Sequence, residues 1–323
     1  MILSKSEIEE FNRKYHNKET DAFNNYINSV RKQLETLHHA WQEITKDKDN
    51  NIIKDNDYSL SDMITISLEF FACFDKDIYT NLLKILNDDS VKLNFSEPSA
   101  ENRGNNCGIK DWRRFINLNP TNNVFGLTTV CHEFAHLTSQ RMQEKKMPKS
   151  EYIGEVESMF IEKVFAKYLL DKKIISEEEY DAVNISLIKS VSNRLEAVFQ
   201  ENDILNFLKG DILTEEKLAE GEKLLKNSPN KDAILNRIQS IAKGTIKSDV
   251  DFRYIIGEVV SELLFEEYKK EPQKTTAKFK EYLKHNADID PQSMVVELIG
   301  KSPEETVSDY LALFRELSDI EQE

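Results

Sequence analysis

Only 9 glycines and 7 prolines interrupt the 323 residues, and that scarcity narrows the fold more than any motif does. Gly and Pro turn a chain sharply or stop a helix, so few of them favour long helices over a many-stranded sheet. The expectation is a mainly α protein, and the apolar spacing agrees. From Ser6 to Glu43, residues Phe11, Tyr15, Phe23, Tyr26, Ile27, Val30, Leu34 and Trp41 recur at helical intervals. His38 and His39 are adjacent, point to different sides of a helix, and read as surface or packing residues. After a charged, Asn-rich connector (Lys46 to Asp57), Leu60 to Leu86 reads as two helices broken near Asp75-Lys76-Asp77, with Phe70, Phe71 and Phe74 in the core. Helices return from Ser176 to Pro272. Glu177-Glu178-Glu179 suits a first turn, and Asp249 to Tyr268 is apolar enough to be a buried helix.

Between Val91 and Asn119 the texture changes. Val91 to Phe95 and Arg114 to Leu118 alternate in polarity and read as strands. The intervening Ser96 to Asp111, with Pro98, Gly104, Asn105, Asn106 and Gly108, reads as a loop. Two uses of this small sheet stay open. Its edge strand could hydrogen-bond an extended peptide, or it could be a structural hairpin covering the core. Cys107, in the loop, has no spacing that marks it as a metal ligand.

The chemistry lies in Thr129 to Leu137. Val124, Leu127, Cys131 and Phe134 form an apolar stripe, so the segment reads as a helix with His132 and His136 one turn apart on one face. Two imidazoles so placed can share one metal ion, and Glu133 can then reach a water beside it as general base. The competing reading is a buried helix with two incidental histidines. A catalytic zinc wants three protein ligands. After the basic turn Glu144 to Lys149, Ser150 is a plausible N-cap for a helix running to Asp171. On that helix Glu155 and Glu157 compete for the third place. At about 100° per residue, Lys163, Lys167 and Asp171 mark a wet edge with Glu157 beside it. Glu155, Ser158, Glu162 and Ala166 form a separate stripe in apolar company, where a carboxylate needs a partner. This favours Glu155.

His132-Glu133-Phe134-Ala135-His136, followed after residues 137 to 154 by Glu155-Val156-Glu157-Ser158 and then Glu162, resembles the oligoendopeptidase F and thimet oligopeptidase family of zinc metallopeptidases. That family shows a glutamate ligand, a serine three positions on and a further acid four beyond it. Phe115-Ile116-Asn117-Leu118-Asn119 is similar to the strand before the family's metal helix, and Tyr254-Ile255-Ile256-Gly257 to its Tyr-x-x-Gly. The Phe279 to Leu313 segment is similar to its final helices. The resemblance implies a helical metallopeptidase catalytic domain with a small β-sheet beside the HExxH helix and its active site in a cleft. One zinc per chain would be held by His132, His136 and Glu155. Glu133 would be the base, Tyr254 a donor to the oxyanion, and Glu162 the residue that orients a ligand histidine. Two departures stand out. Family members are considerably longer. They also carry a histidine and several tyrosines ahead of the Tyr-x-x-Gly, where this chain has Asp249-Val250-Asp251-Phe252-Arg253. Either Tyr254 acts alone or with Arg253, or activity is narrowed or lost.

The expected organisation is an N-terminal helical region, 1–90, packed on a catalytic part, 91–323, as one continuous unit. The formal net charge of −15 argues against nucleic acid or an anionic membrane as partner. Three cysteines without metal-type spacing fit a reducing compartment. The first residues carry no apolar signal region and no run is long enough to span a bilayer, so a cytoplasmic location is expected. The expected function is zinc-dependent endopeptidase action on peptides or unfolded protein segments. The alternative is a helical protein that keeps zinc without turnover and acts through protein binding. An acidic end, Glu316 to Glu323, would also suit a bacterial effector delivered into a host cell.

Overall fold

The computed structural model describes residues 3–15, 18–46, 58–89, 91–98, 106–110, 113–142, 155–208, 213–224, 231–242, 250–284 and 291–320. Within them the chain is mainly α, as its composition implies. α1 (Lys5–Tyr15), α2 (Lys18–Thr45), α3 (Leu60–Phe74) and α4 (Lys76–Leu86) come first. The break between α3 and α4 is the single residue Asp75. It is extended, and its Oδ1 accepts from the amides of Asp77 at 2.9 Å and Ile78 at 3.0 Å. An aspartate that caps the next helix ends the previous one by taking its own backbone out of helical geometry. Three of the seven prolines (Pro272, Pro291 and Pro303) are the first residues of α11 (Pro272–Lys284), α12 (Pro291–Ile299) and α13 (Pro303–Ile320). There the missing N–H costs no helical hydrogen bond.

Three short strands lie between α4 and α5: β1 (Lys92–Phe95), β2 (Asn106–Lys110) and β3 (Arg113–Leu118), in the order β1-β3-β2. β3 alternates as its sequence suggests, burying Ile116 and Leu118. Two expectations are corrected here. Ser96 to Asp111 is not wholly loop, because β2 lies inside it and pairs antiparallel with β3, Cys107 opposite Ile116. Nor do β1 and β3 form a hairpin. They pair in parallel, with Leu93 opposite Ile116, which the long crossover between them permits.

The remaining helices are α5 (Val124–Met142), α6 (Val156–Asp171), α7 (Glu177–Leu208), α8 (Glu215–Leu224), α9 (Lys231–Ala242) and α10 (Val250–Lys270). α6 is the central helix, packed against α5 and α10 and touching α3 and α7. One apolar core runs from Phe23 to Phe314, so helices from both ends of the chain share it. Trp41 of α2 meets Tyr310 of α13 edge to face at 6.0 Å. A smaller cluster joins Leu3, Ile8 and Phe11 to Ile204, Leu208, Leu218 and Ile238. His38 is a packing residue, its ring against Phe199 and its nitrogens on Ser192 and Gln42.

The central place of α6 overturns the wet edge read from its sequence. Asp171 is exposed and Lys167 half-buried, but the Lys163 side chain is 5% exposed and Glu157 is 4% exposed. A helix enclosed on nearly every side carries no amphipathic stripe to read. Most of the connector after Lys46, the turn 144–149 with its Ser150 cap, His285 and the Cys107 side chain lie outside the described residues. No described helix is long and apolar enough to cross a membrane.

Candidate metal centre

α5 presents His132 and His136 on one face, their ring centroids 4.9 Å apart and nearly perpendicular. Val124, Leu127, Val130, Cys131 and Phe134 of the same helix are fully buried, and this apolar packing fixes which face the histidines take. Glu155 closes the site from the head of α6, at its N-cap position with φ −106° and ψ −9°. Its Oε2 lies 3.3 Å from His132 Nε2 and 3.4 Å from His136 Nε2. One donor atom from each of the three residues falls within 4.8 Å of the others. Two ligands each about 2.0–2.1 Å from a tetrahedral zinc stand roughly 3.3–3.4 Å apart. The donor set and its spacing therefore fit such an ion.

Each imidazole is held from behind by a second carboxylate. Glu162 Oε2 lies 3.0 Å from His132 Nδ1, and Glu157 Oε1 lies 3.8 Å from His136 Nδ1. An acid at Nδ1 keeps the proton there and leaves Nε2 free to bind metal. Glu157 is itself steadied by the Tyr282 hydroxyl, which donates to Oε2 at 3.3 Å. The sequence assigned Glu157 to a wet surface, and its place behind His136 corrects that assignment. No local signal could have found it, because Tyr282 is 125 positions away.

The far oxygen of Glu155 faces a cation. Arg253 Nε lies 3.1 Å from Oε1, an ion pair not aligned as a hydrogen bond. Ser158 Oγ donates to the Glu155 carbonyl at 3.0 Å. Gly257 explains how α10 comes so close. A Cβ there would stand 3.1 Å from Glu155 Cβ and 2.5 Å from Met159 Sδ, so glycine is what lets the two helices meet behind Glu155. Tyr254, one turn earlier, is partly buried beside the core. Its ring carries Arg194 at 4.1 Å and Arg253 at 5.4 Å.

The electrostatics follow from this packing. Burial alone would lower the His136 pKa, but the Glu155 carboxylate overrides it and raises the group to about 9. His132 is raised well above its ordinary value in the same way, Glu155 and Glu162 outweighing its burial. Burial would raise Glu155, yet the two histidines hold it well below the usual carboxylate range. Burial, with the Glu155 charge added, raises the Tyr254 phenol and keeps it a hydrogen-bond donor. Glu133, 6% exposed, differs from the other three acids. No described side chain forms a hydrogen bond or ion pair with it.

Fold and site together describe a mainly helical protein with a cluster of two histidines and a glutamate between its central helices. No family model matches the chain, and no curated protein matches it in sequence. Its fold is shared with solved peptidase structures. A protein assigned as a peptidase from Chlamydophila abortus aligns over 96% of this chain at 15% identity, with a TM-score of 0.55. One assigned as an oligoendopeptidase F from Bacillus anthracis aligns over 97% at 13% identity and 0.57. PZ peptidase A, solved with an inhibitor, aligns over 98% at 10% identity and 0.55. The chain spans 57–59% of the length of these structures.

Proposed function

We propose that this chain is a zinc-dependent metalloendopeptidase acting on peptides or flexible protein segments. The observation that carries the reading is the convergence of His132 Nε2 and His136 Nε2 on one Glu155 oxygen, at 3.3 and 3.4 Å. Two imidazoles and one carboxylate suit zinc. Bound by His132, His136 and Glu155, it would supply a Lewis acid that lowers the pKa of water and polarises a scissile carbonyl.

The chain's own groups divide the remaining work. Glu133 takes the proton from the attacking water and passes it to the leaving amine. Tyr254 donates its hydroxyl to the carbonyl oxygen as negative charge develops there. Glu162 holds the His132 Nδ1 proton by a hydrogen bond and Glu157 attracts that of His136 across 3.8 Å, so both Nε2 atoms face inward. β2 touches α5 and has no described strand on its outer side, so that side can align an extended peptide beside the histidines.

The test is cleavage of quenched fluorescent peptides by the purified chain, with and without chelator, beside elemental analysis. Expected are about one zinc per chain and turnover that a chelator abolishes and zinc restores. One observation favours a second reading, metal binding without turnover. Arg253 stands where the resembling family carries a different residue set, and it is engaged with the ligand Glu155. Stoichiometric zinc with no cleavage of any peptide in a library would decide for that reading.

A further inference from the structure

A cavity of about 340 Å³ lies elsewhere in the molecule, and none of its lining residues belongs to the metal centre. Its floor is an ionic cluster between α6 and α10. Lys163 Nζ lies 2.7 Å from Glu262 Oε2 and 3.0 Å from Glu258 Oε1, and the Tyr310 hydroxyl donates to the same Glu258 oxygen at 3.0 Å. The walls include Ile188, Phe265 and Phe314. Volume, apolar walls and a few converging polar groups are the ordinary features of a small-molecule site.

Acidic side chains outnumber basic ones in the cavity, and burial raises the pKa of the sealed one, Glu258. Four carboxylates line it against two lysines. Donors are also short on the floor, where two carboxylates share one ammonium and one phenol. Glu258 Oε2 shows the deficit, since among the described residues nothing donates to this buried oxygen although the residue is 1% exposed. A buried acceptor left unpaired is costly. Glu262 is the reachable acid, 19% exposed where Glu258 is sealed.

We propose that this cavity binds a small amphipathic organic cation, its protonated amine on Glu262 and its apolar body against Ile188, Phe265 and Phe314. An ammonium brings three donors and a positive charge to a floor short of both. Phe314 adds an aromatic face that favours a cation, and the Phe265 ring already carries one, Lys269, at 5.2 Å. An anion of the same shape would meet the excess negative charge, and a neutral one would bring no charge to offset it. The cavity shares α6 and α10 with the acids and the glycine that stand behind the candidate metal centre, whose histidines lie on α5. Lys163 directly follows Glu162, and Glu258 directly follows Gly257.

Phenethylamine is a suitable probe, titrated into the full chain by calorimetry with a chelator present so that amine–metal coordination contributes nothing. Saturable binding is expected, with hydrocinnamate and phenethyl alcohol, which share its body, at least about tenfold weaker, equal to about 1.4 kcal/mol. Glu262→Gln keeps the side-chain shape and should weaken the amine at least about tenfold. Ile188→Trp, which fills the cavity, should abolish binding. If that variant fails to fold, the Glu262→Gln comparison still decides. Equal affinity for the amine and the acid, or an amine affinity unmoved by Glu262→Gln, would overturn the proposal.

Discussion

Gly257→Ala adds one methyl group at the closest approach of α10 to α6. The new carbon would stand 2.5 Å from Met159 Sδ, 3.1 Å from Glu155 Cβ and 3.4 Å from the Glu155 carbonyl carbon. Carbon contacts are comfortable at about 3.5–4.0 Å, so both neighbours must give way. A thioether can swing aside, but Met159 is fully buried, and close-packed interiors leave little room for such a move. Such overpacking costs about 1–3 kcal/mol. Against it stands the gain from replacing a mid-helix glycine by alanine, about 1 kcal/mol. The expected outcome is a net loss of up to about 2 kcal/mol, measured by urea unfolding of chelator-treated protein. The more telling effect is on metal, because the atom crowded at 3.1 Å belongs to a proposed ligand. Displaced outer contacts cost about 10–100-fold in metal affinity, and a loss of that size is expected in chelator competition. A variant more stable than wild type with unchanged zinc affinity would refute both the packing argument and the ligand assignment.

Four further outcomes are expected. Glu162→Gln should weaken zinc more than Glu157→Gln, since the two acids stand 3.0 and 3.8 Å from their histidine nitrogens. Yet Glu157→Gln should still be measurable in chelator competition, up to about tenfold. Glu133→Gln should keep stoichiometric zinc by mass spectrometry while peptide cleavage disappears, because the proposed base is not among the proposed ligands. Tyr254→Phe should lower kcat about 10²–10³-fold with zinc content and melting temperature unmoved, and unchanged kcat would move the oxyanion role to Arg253. In zinc-free protein the His136 pKa is raised to about 9. The stability of its pair with Glu155 is therefore full below the unfolded value near 6.5 and lost as pH rises through about 9. Melting temperatures taken across that window should fall with pH in chelator, and apparent zinc affinity should rise as the competing protons leave.

Local physics is periodic, and what it governs could be read from the residues in order. Few glycines and prolines meant helices. Asp75 broke α3 from α4 because one side chain within three residues satisfied the new helix's amides. The i, i+4 spacing of His132 and His136 put two imidazoles on one face whatever the rest of the chain did. The sequence pattern also favours Glu155, and its carboxylate does lie between the histidines. The pattern implies a wet side on α6 that sets Glu157 apart, and α6 has almost none.

What decided the rest was which elements meet, and no window of neighbouring residues contains that. β2 forms in a Gly- and Asn-rich stretch because β3 offers it a free edge. β1 joins β3 in parallel because the crossover leaves room. Glu157 is dry because Tyr282 lies over it from 125 residues away, and Lys163 is dry because Glu258 and Glu262 of α10 neutralise it. A charged residue buried by a distant partner has the same sequence signature as one in water. The His-Glu-x-x-His pair was therefore determined by the sequence alone, because a helix repeats over 3.6 residues. The acids behind it, the glycine contact and the second cavity were decided only when α5, α6 and α10 packed together.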